Sequence, residues 1–267
     1  LSTSGTSTEG TDYTDGSGNI DDITISAGST TGTVNFTPTD DSVYEGNETA
    51  IVAISSVSGA DASESGSQSV TITITENESA PTITLARSAA SIDENSGSTI
   101  TLTATISGVT DSAVTVALDT SGTATEGTDY GTISDITISA GATTGTATLD
   151  PTDDNIYEGD ETATIDIGSV SGKSGVTENG TQQVSVTIAE NESAPTVTLA
   201  TSATSIAENA GTSLTLTATL SVATTADVTV ALSTSGTATE GTDYTDGSGS
   251  IDDIVISAGS TTGTVSF

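Results

Sequence analysis

The sequence predicts an all-β protein made of tandem, immunoglobulin-like β-sandwiches. Three observations carry this: short runs of alternating apolar and polar residues, Gly- and Asp-rich breaks between them, and a domain-sized repeat. The runs are clearest at Val70-Thr71-Ile72-Thr73-Ile74-Thr75, Leu102 to Ile106, Val114 to Leu118 and Val184 to Ile188. Alternation at period two places one face in a core and the other in water. Threonine suits the wet face, because its branched side chain favours extended backbone while its hydroxyl stays solvated. No segment sustains a 3.6-residue apolar stripe. The breaks fall at the spacing of a sandwich with about seven strands per unit.

The repeat sets the unit. Ser-Gly-Thr-x-Thr-Glu-Gly-Thr-Asp-Tyr stands at 4–13, 121–130 and 235–244. Glu-Asn-Glu-Ser-Ala-Pro-Thr recurs at 76–82 and 190–196, a shift of 114, and Asp-Asp-x-x-Tyr-Glu-Gly-x-Glu-Thr at 40–49 and 153–162, a shift of 113. A unit of that length is a whole domain rather than a solenoid turn. It divides the chain into a partial module at 1–79, a complete one at 80–193 and a partial one at 194–267. Segment 1–36 matches 232–267 almost residue for residue, a shift of 231, and both carry an insertion (Thr14 to Ser17, Thr245 to Ser248) that the middle copy lacks. Two module types therefore alternate, as expected of a window in a longer repetitive protein. The joints at Ala80-Pro81 and Ala194-Pro195 are short, and proline stiffens them. A rod follows rather than beads on a flexible string.

Charge narrows the partners. The 267 residues hold 37 acidic side chains and two basic ones, Arg87 and Lys173, for a net charge of −35. Nucleic acid needs a basic surface, so it is excluded as a partner; an anionic membrane is disfavoured likewise. Nothing in the segment is apolar enough to insert into a bilayer. Cations remain, either as bulk salt around a salt-adapted surface or as specifically bound ions that relieve self-repulsion. Without Cys or His, zinc sites, disulfides and the usual nucleophile–base pairs are absent.

In the middle copy the acidic residues gather at Asp93-Glu94, Asp129, Asp153 through Glu161, and Glu190 with Glu192, each at the end of a strand run. Ca²⁺ takes six to eight oxygens in flexible geometry, whereas Mg²⁺ demands a tight octahedron with retained waters. The set favours Ca²⁺. Solvated turn residues are the competing reading, and it is weakened by recurrence of the whole set in each unit.

The order Gly122 to Tyr130, then Asp153-Asp154-x-x-Tyr157-Glu158-x-x-Glu161, then an acidic triplet closing the last strand, resembles the Calx-β module throughout the chain. The resemblance implies a seven-stranded Greek-key sandwich with calcium at one end. Its ligand positions would be Glu94, Asp129, Asp153, Asp154, Glu158, Glu161, Glu190 and Glu192, with the main-chain carbonyl of Ile156. The first copy would offer Asp12, Asp40, Asp41, Glu45, Glu48, Glu76 and Glu78; the third, only Glu208 and Asp243. One departure stands out. Calcium-loaded members often end in three aspartates, whereas this chain has Glu190-Asn191-Glu192, and Asn191 brings only a neutral oxygen. The sequons at Asn47, Asn77, Asn179 and Asn191 read as chance in a Ser/Thr-rich chain. Tyr130 and Tyr157 read as edge plugs. The aspartates Asp15, Asp21 and Asp22, with Asp246, Asp252 and Asp253, read as solvated loops before an additional ion site.

The function expected is a calcium-binding structural repeat of a long extracellular or cell-surface stalk, fibre or filament, with calcium stiffening the joints between neighbouring modules and self-assembly into fibres within its reach. Adhesion to a carbohydrate or protein ligand, as in an adhesin, is the alternative, beside an acidic spacer without specific calcium sites. No enzyme is expected: catalysis needs tuned groups in a pocket, and identical acidic sets in every unit fit repetition of structure instead.

Overall fold

The computed structural model describes residues 1–267, and every regular element in it is a strand. No helix is long and apolar enough to cross a membrane. The middle unit carries two packed sheets. In the first, Ile136–Ile138, Val114–Gly122, Glu161–Ser171, Gln183–Ala189 and Ser91–Asp93 lie side by side; in the second, Thr144–Leu149, Ile100–Ile106, Thr82–Arg87 and Thr177–Glu178. Neighbours are antiparallel except where Ser91–Asp93 runs parallel to Gln183–Ala189, and Thr177–Glu178 to Thr82–Arg87. The first and last runs of the unit thus each split and change sheet, which reduces nine segments to seven runs. One edge of each sheet is filled by these short parallel pieces, a usual protection for an exposed ladder.

The alternation read in the sequence is the packing. Ile100, Leu102, Ala104 and Ile106 are buried and the intervening threonines are not. With Val114, Val116, Ile136, Ile138, Ile165 and Val186 they belong to one continuous core. Each large buried side chain is worth about 1.5–3 kcal/mol relative to exposure. Tyr130 is 1% exposed and bridges to Pro151, so it plugs the sandwich edge. Gly122 holds φ at +121°, and a Cβ there would lie 2.0 Å from the Thr162 carbonyl oxygen. Only glycine lets these two strands close at that point.

Adjacent units are joined by main-chain pairing. Val43–Tyr44 in the acidic loop of the first unit pairs in parallel with Val109–Thr110 of the second. Ile156–Tyr157 pairs in the same way with Ala223–Thr224 of the third. The carboxylate-bearing loop is therefore also the part that touches the next unit.

Candidate metal centres

Strand pairing delivers the carboxylates. Ala189 lies opposite Asp93, and the Glu94 N–H donates to the Ala189 carbonyl at 3.0 Å. That brings the start of the unit beside its end. Asp129 sits in a turn that its own carboxylate closes, accepting the Thr125 N–H at 2.6 Å. The Thr152 N–H donates to the Asp129 carbonyl at 2.9 Å and ties that turn to the acidic loop.

The four acidic stretches of the middle unit form two trios rather than one cage. Glu94, Glu190 and Glu192 make one; Asp129, Glu158 and Glu161 make the other; in each, one oxygen per residue lies within 4.8 Å of the others. Asp12, Glu45 and Glu48 repeat the second trio in the first unit. Asp154 and Ile156 shape the loop, the Asp154 carboxylate accepting the Ile156 N–H at 2.7 Å, while the Asp154 N–H donates to Glu94 at 3.3 Å. Asp41 likewise accepts the Val43 N–H at 2.7 Å. Asp153 and Asp40 accept the amide N–H groups of Asn191 and Asn77, at 3.1 and 2.9 Å. In the third unit Glu208 and Asp243 are exposed and join no cluster; Asp243 accepts the Thr239 N–H at 2.7 Å.

Packing like charges together strains their ionisation. Burial, then hydrogen bonding and repulsion from Asp129 and repulsion from Glu158, push the Glu161 carboxyl up to about 7. Glu45 is pushed up to about 7 by burial and then by Asp12 and Glu48. Burial also raises Glu48, Glu94 and Glu158. Glu190 goes the other way. Burial would raise it, but N–H donation from Glu192, Glu158 and Gly159 outweighs burial and holds it at about 2. Those three bonds measure 2.9, 2.6 and 2.8 Å. Glu76 is held at about 2 by the matching N–H groups of Glu78, Gly46 and Glu45, again against burial.

Two carboxylate oxygens in these clusters, Oε2 of Glu48 and Oε2 of Glu192, are shielded from solvent and meet no hydrogen-bond donor. A shielded carboxylate oxygen that meets no hydrogen-bond donor is costly. Hard oxygens, mutual repulsion and orphaned acceptors together fit a divalent cation.

Three features carry no ligand-like signal in the sequence. Glu126 accepts the Thr120 hydroxyl at 2.7 Å and the Ile133 N–H at 3.3 Å, and Glu9 and Glu240 repeat this clamp. Its recurrence was legible; its structural role was not. Lys173 of the second unit pairs with Asp111 at 2.7 Å and donates to the Glu45 carbonyl of the first unit. Asp15 and Asp246 each bind the N–H and hydroxyl of the serine two residues on, which closes the inserted loop as a turn.

Comparison with known proteins gives one family. The family model of the Calx-beta domain matches three times, over residues 1–78, 76–192 and 190–265. Among solved structures, the apo form of the Calx CBD1 domain is similar at 22% identity and a TM-score of 0.34, over 41% of this chain and 98% of that one. The calcium binding domain CBD12 of CALX1.1 is similar at 20% identity and 0.35, over 68% and 74%. CBD12 from CALX1.2 is similar at 17% and 0.34, over 69% and 73%. No curated protein matches.

Proposed function

We propose a function from one premise: the chain belongs to the Calx-beta domain family. On this reading it is a calcium-binding repeat whose ions lock each module to its neighbour. The observation that carries it is the pair of shielded, donor-free oxygens on Glu48 and Glu192, each inside a trio of mutually repelling carboxylates. Asp129, Glu158 and Glu161 would hold one ion, and Glu94, Glu190 and Glu192 another. Asp12, Glu45 and Glu48 would hold the first unit's ion, and Asp40, Asp41, Asp153, Asp154, Glu76, Glu78 and the Ile156 carbonyl would complete the coordination. Glu208 and Asp243 would need the rest of a third module around them.

The bound ion would neutralise the trio and fix the acidic loop. That loop pairs with the next unit through Ile156–Tyr157, so fixing it fixes the joint. A stalk, fibre or filament at the cell surface uses such a joint well, because stiffness then depends on external calcium. The role is structural, not catalytic.

Thermal unfolding and small-angle scattering, in calcium and in chelator, test this. Calcium at 100 times its dissociation constant should add about 2.7 kcal/mol per site to the folded state, and should narrow the spread of chain lengths in scattering. Identical melting and identical scattering profiles in the two buffers would sink the proposal.

A further inference from the structure

Only two basic side chains stand against 37 acidic ones, and one of the two is placed at a joint. Lys173 belongs to the turn at 172–175, which follows the Glu161–Ser171 strand of the second unit. Its side chain is 13% exposed, its ammonium pairs with Asp111 at 2.7 Å, and it donates to the Glu45 main-chain carbonyl of the first unit. Tyr44 meets the same turn. Gly175 holds φ at +90°, and a Cβ there would run into the Tyr44 hydroxyl. The turn thus grips the acidic loop of the first unit beside the short ladder of Val43–Tyr44 with Val109–Thr110. No apolar core seals this side of the joint. An open polar cleft of about 570 Å³ runs along it instead, lined by Tyr44, Glu45, Asn47, Glu76, Ser112 and Lys173.

The charges around the joint call for a cation. Burial and neighbours within the first unit raise the Glu45 and Glu48 carboxyls, and Asp111 adds its repulsion from across the joint. Lys173 pulls Glu48 back down. An ammonium bonded to both sides turns that repulsion into attraction. Both halves of the clasp belong to the second unit, and the other units lack them. Thr225 stands at the Asp111 position of the third unit, and the matching turn of the first, at 59–64, holds Ala60, Asp61, Ala62 and Ser63 with no basic residue. The first and third units share the insertion at Thr14 and Thr245, so they are one module type. That type shows neither the ammonium nor its carboxylate at the positions where each can be read.

We propose that Lys173 is a built-in counter-ion, whose ammonium holds the acidic loop of the first unit on the second without any metal. The two joints of the chain are then of different kinds. Between 1–79 and 80–193 the cation is part of the chain. Between 80–193 and 194–267 the same parallel ladder forms, from Ile156–Tyr157 and Ala223–Thr224, with an uncharged threonine where Asp111 would stand. The clasp holds whether or not the carboxylate trios bind calcium, so it does not rest on the calcium reading.

Hydrogen exchange of the intact chain in chelator reads the clasp, at amides 43–47 and 109–112 for the first joint and at 156–160 and 223–226 for the second. Lys173→Ala should quicken exchange at the first joint about 5- to 30-fold and leave the second unchanged. Lys173→Gln keeps a donor for the Glu45 carbonyl but no charge, and should open the joint nearly as far. Lys173→Ala combined with Asp111→Thr copies the other module type at both positions. It should stay open too, because the bridge is gone along with the repulsion. Slow exchange at Leu102 and Val186 checks that the second unit remains folded. Parent-like exchange in Lys173→Ala overturns the proposal. So does a parent-like Lys173→Gln, which would reduce the clasp to a hydrogen bond, or a double variant that recovers, which would reduce Lys173 to a mask for Asp111. Loosening in chelator with no response to calcium in any variant would uphold the clasp and remove the calcium reading alone.

Discussion

Glu161 and Glu190 sit in neighbouring trios and titrate in opposite directions. Glu161 lacks N–H donors and faces Asp129 and Glu158, so its proton is held up to about 7; Glu190 accepts three N–H groups and sheds its proton near 2. A carboxyl with a raised folded value is still protonated in the folded chain between 4.5 and about 7, where the unfolded chain has lost its proton. Folded chains then bind more protons, so stability falls as pH rises through that window and levels off above it. Glu76 and Glu190 contribute stability above 4.5, which is lost as pH falls toward about 2. Without calcium, the melting temperature is expected to be higher near pH 5 than near pH 7.5, and calcium should remove that downward slope; calorimetry across pH in chelator and in calcium reads both. Glu161→Gln removes the repelled charge and a ligand together. It should melt no lower than the parent in chelator and lose the share of the calcium-dependent rise that the Asp129, Glu158 and Glu161 site supplies. Glu190→Ala should instead destabilise the chain even in chelator, by about 2–4 kcal/mol in denaturant titration, because three N–H groups lose a charged acceptor.

At the scale of elements, the acidic loop is held from three sides: by Glu190 from the last strand, by the Asp129 turn, and by parallel pairing with the next unit. The two joints are not equal. The first adds the Lys173 clasp to Asp111 and to the Glu45 carbonyl; in the second, Thr225 stands at the Asp111 position. Lys173→Ala is expected to cost about 1–2 kcal/mol and to leave Glu48 without its cationic neighbour. The measurable result is a lower melting temperature in chelator that calcium largely restores. Gly122→Ala tests a different junction. Its Cβ would meet the Thr162 oxygen in a left-handed backbone region, so about 2–4 kcal/mol of stability should go, whether or not calcium is present.

Across residues 1–267, one complete sandwich lies between two part-modules, and its core is the larger one. The middle core joins 21 buried residues and the third unit's only four. Unfolding is therefore expected in at least two steps, with hydrogen exchange fastest in 1–79 and 194–267 and slowest at fully buried positions of the middle sheets such as Leu102 and Val186. Calcium should slow exchange first in the loops around Glu158 and Glu45, where the trios meet the joints.

The sequence by itself determined the strand class, the 114-residue unit, its alternation over 231 residues and which carboxylates stand at strand ends. These are properties of period and composition, and local alternation such as Ile100 to Ile106 passes directly into burial. It did not determine how the carboxylates divide. That required the parallel pairing that sets Glu94 beside Ala189 and the turn that sets Asp129 beside Glu158, both contacts between residues far apart in the chain.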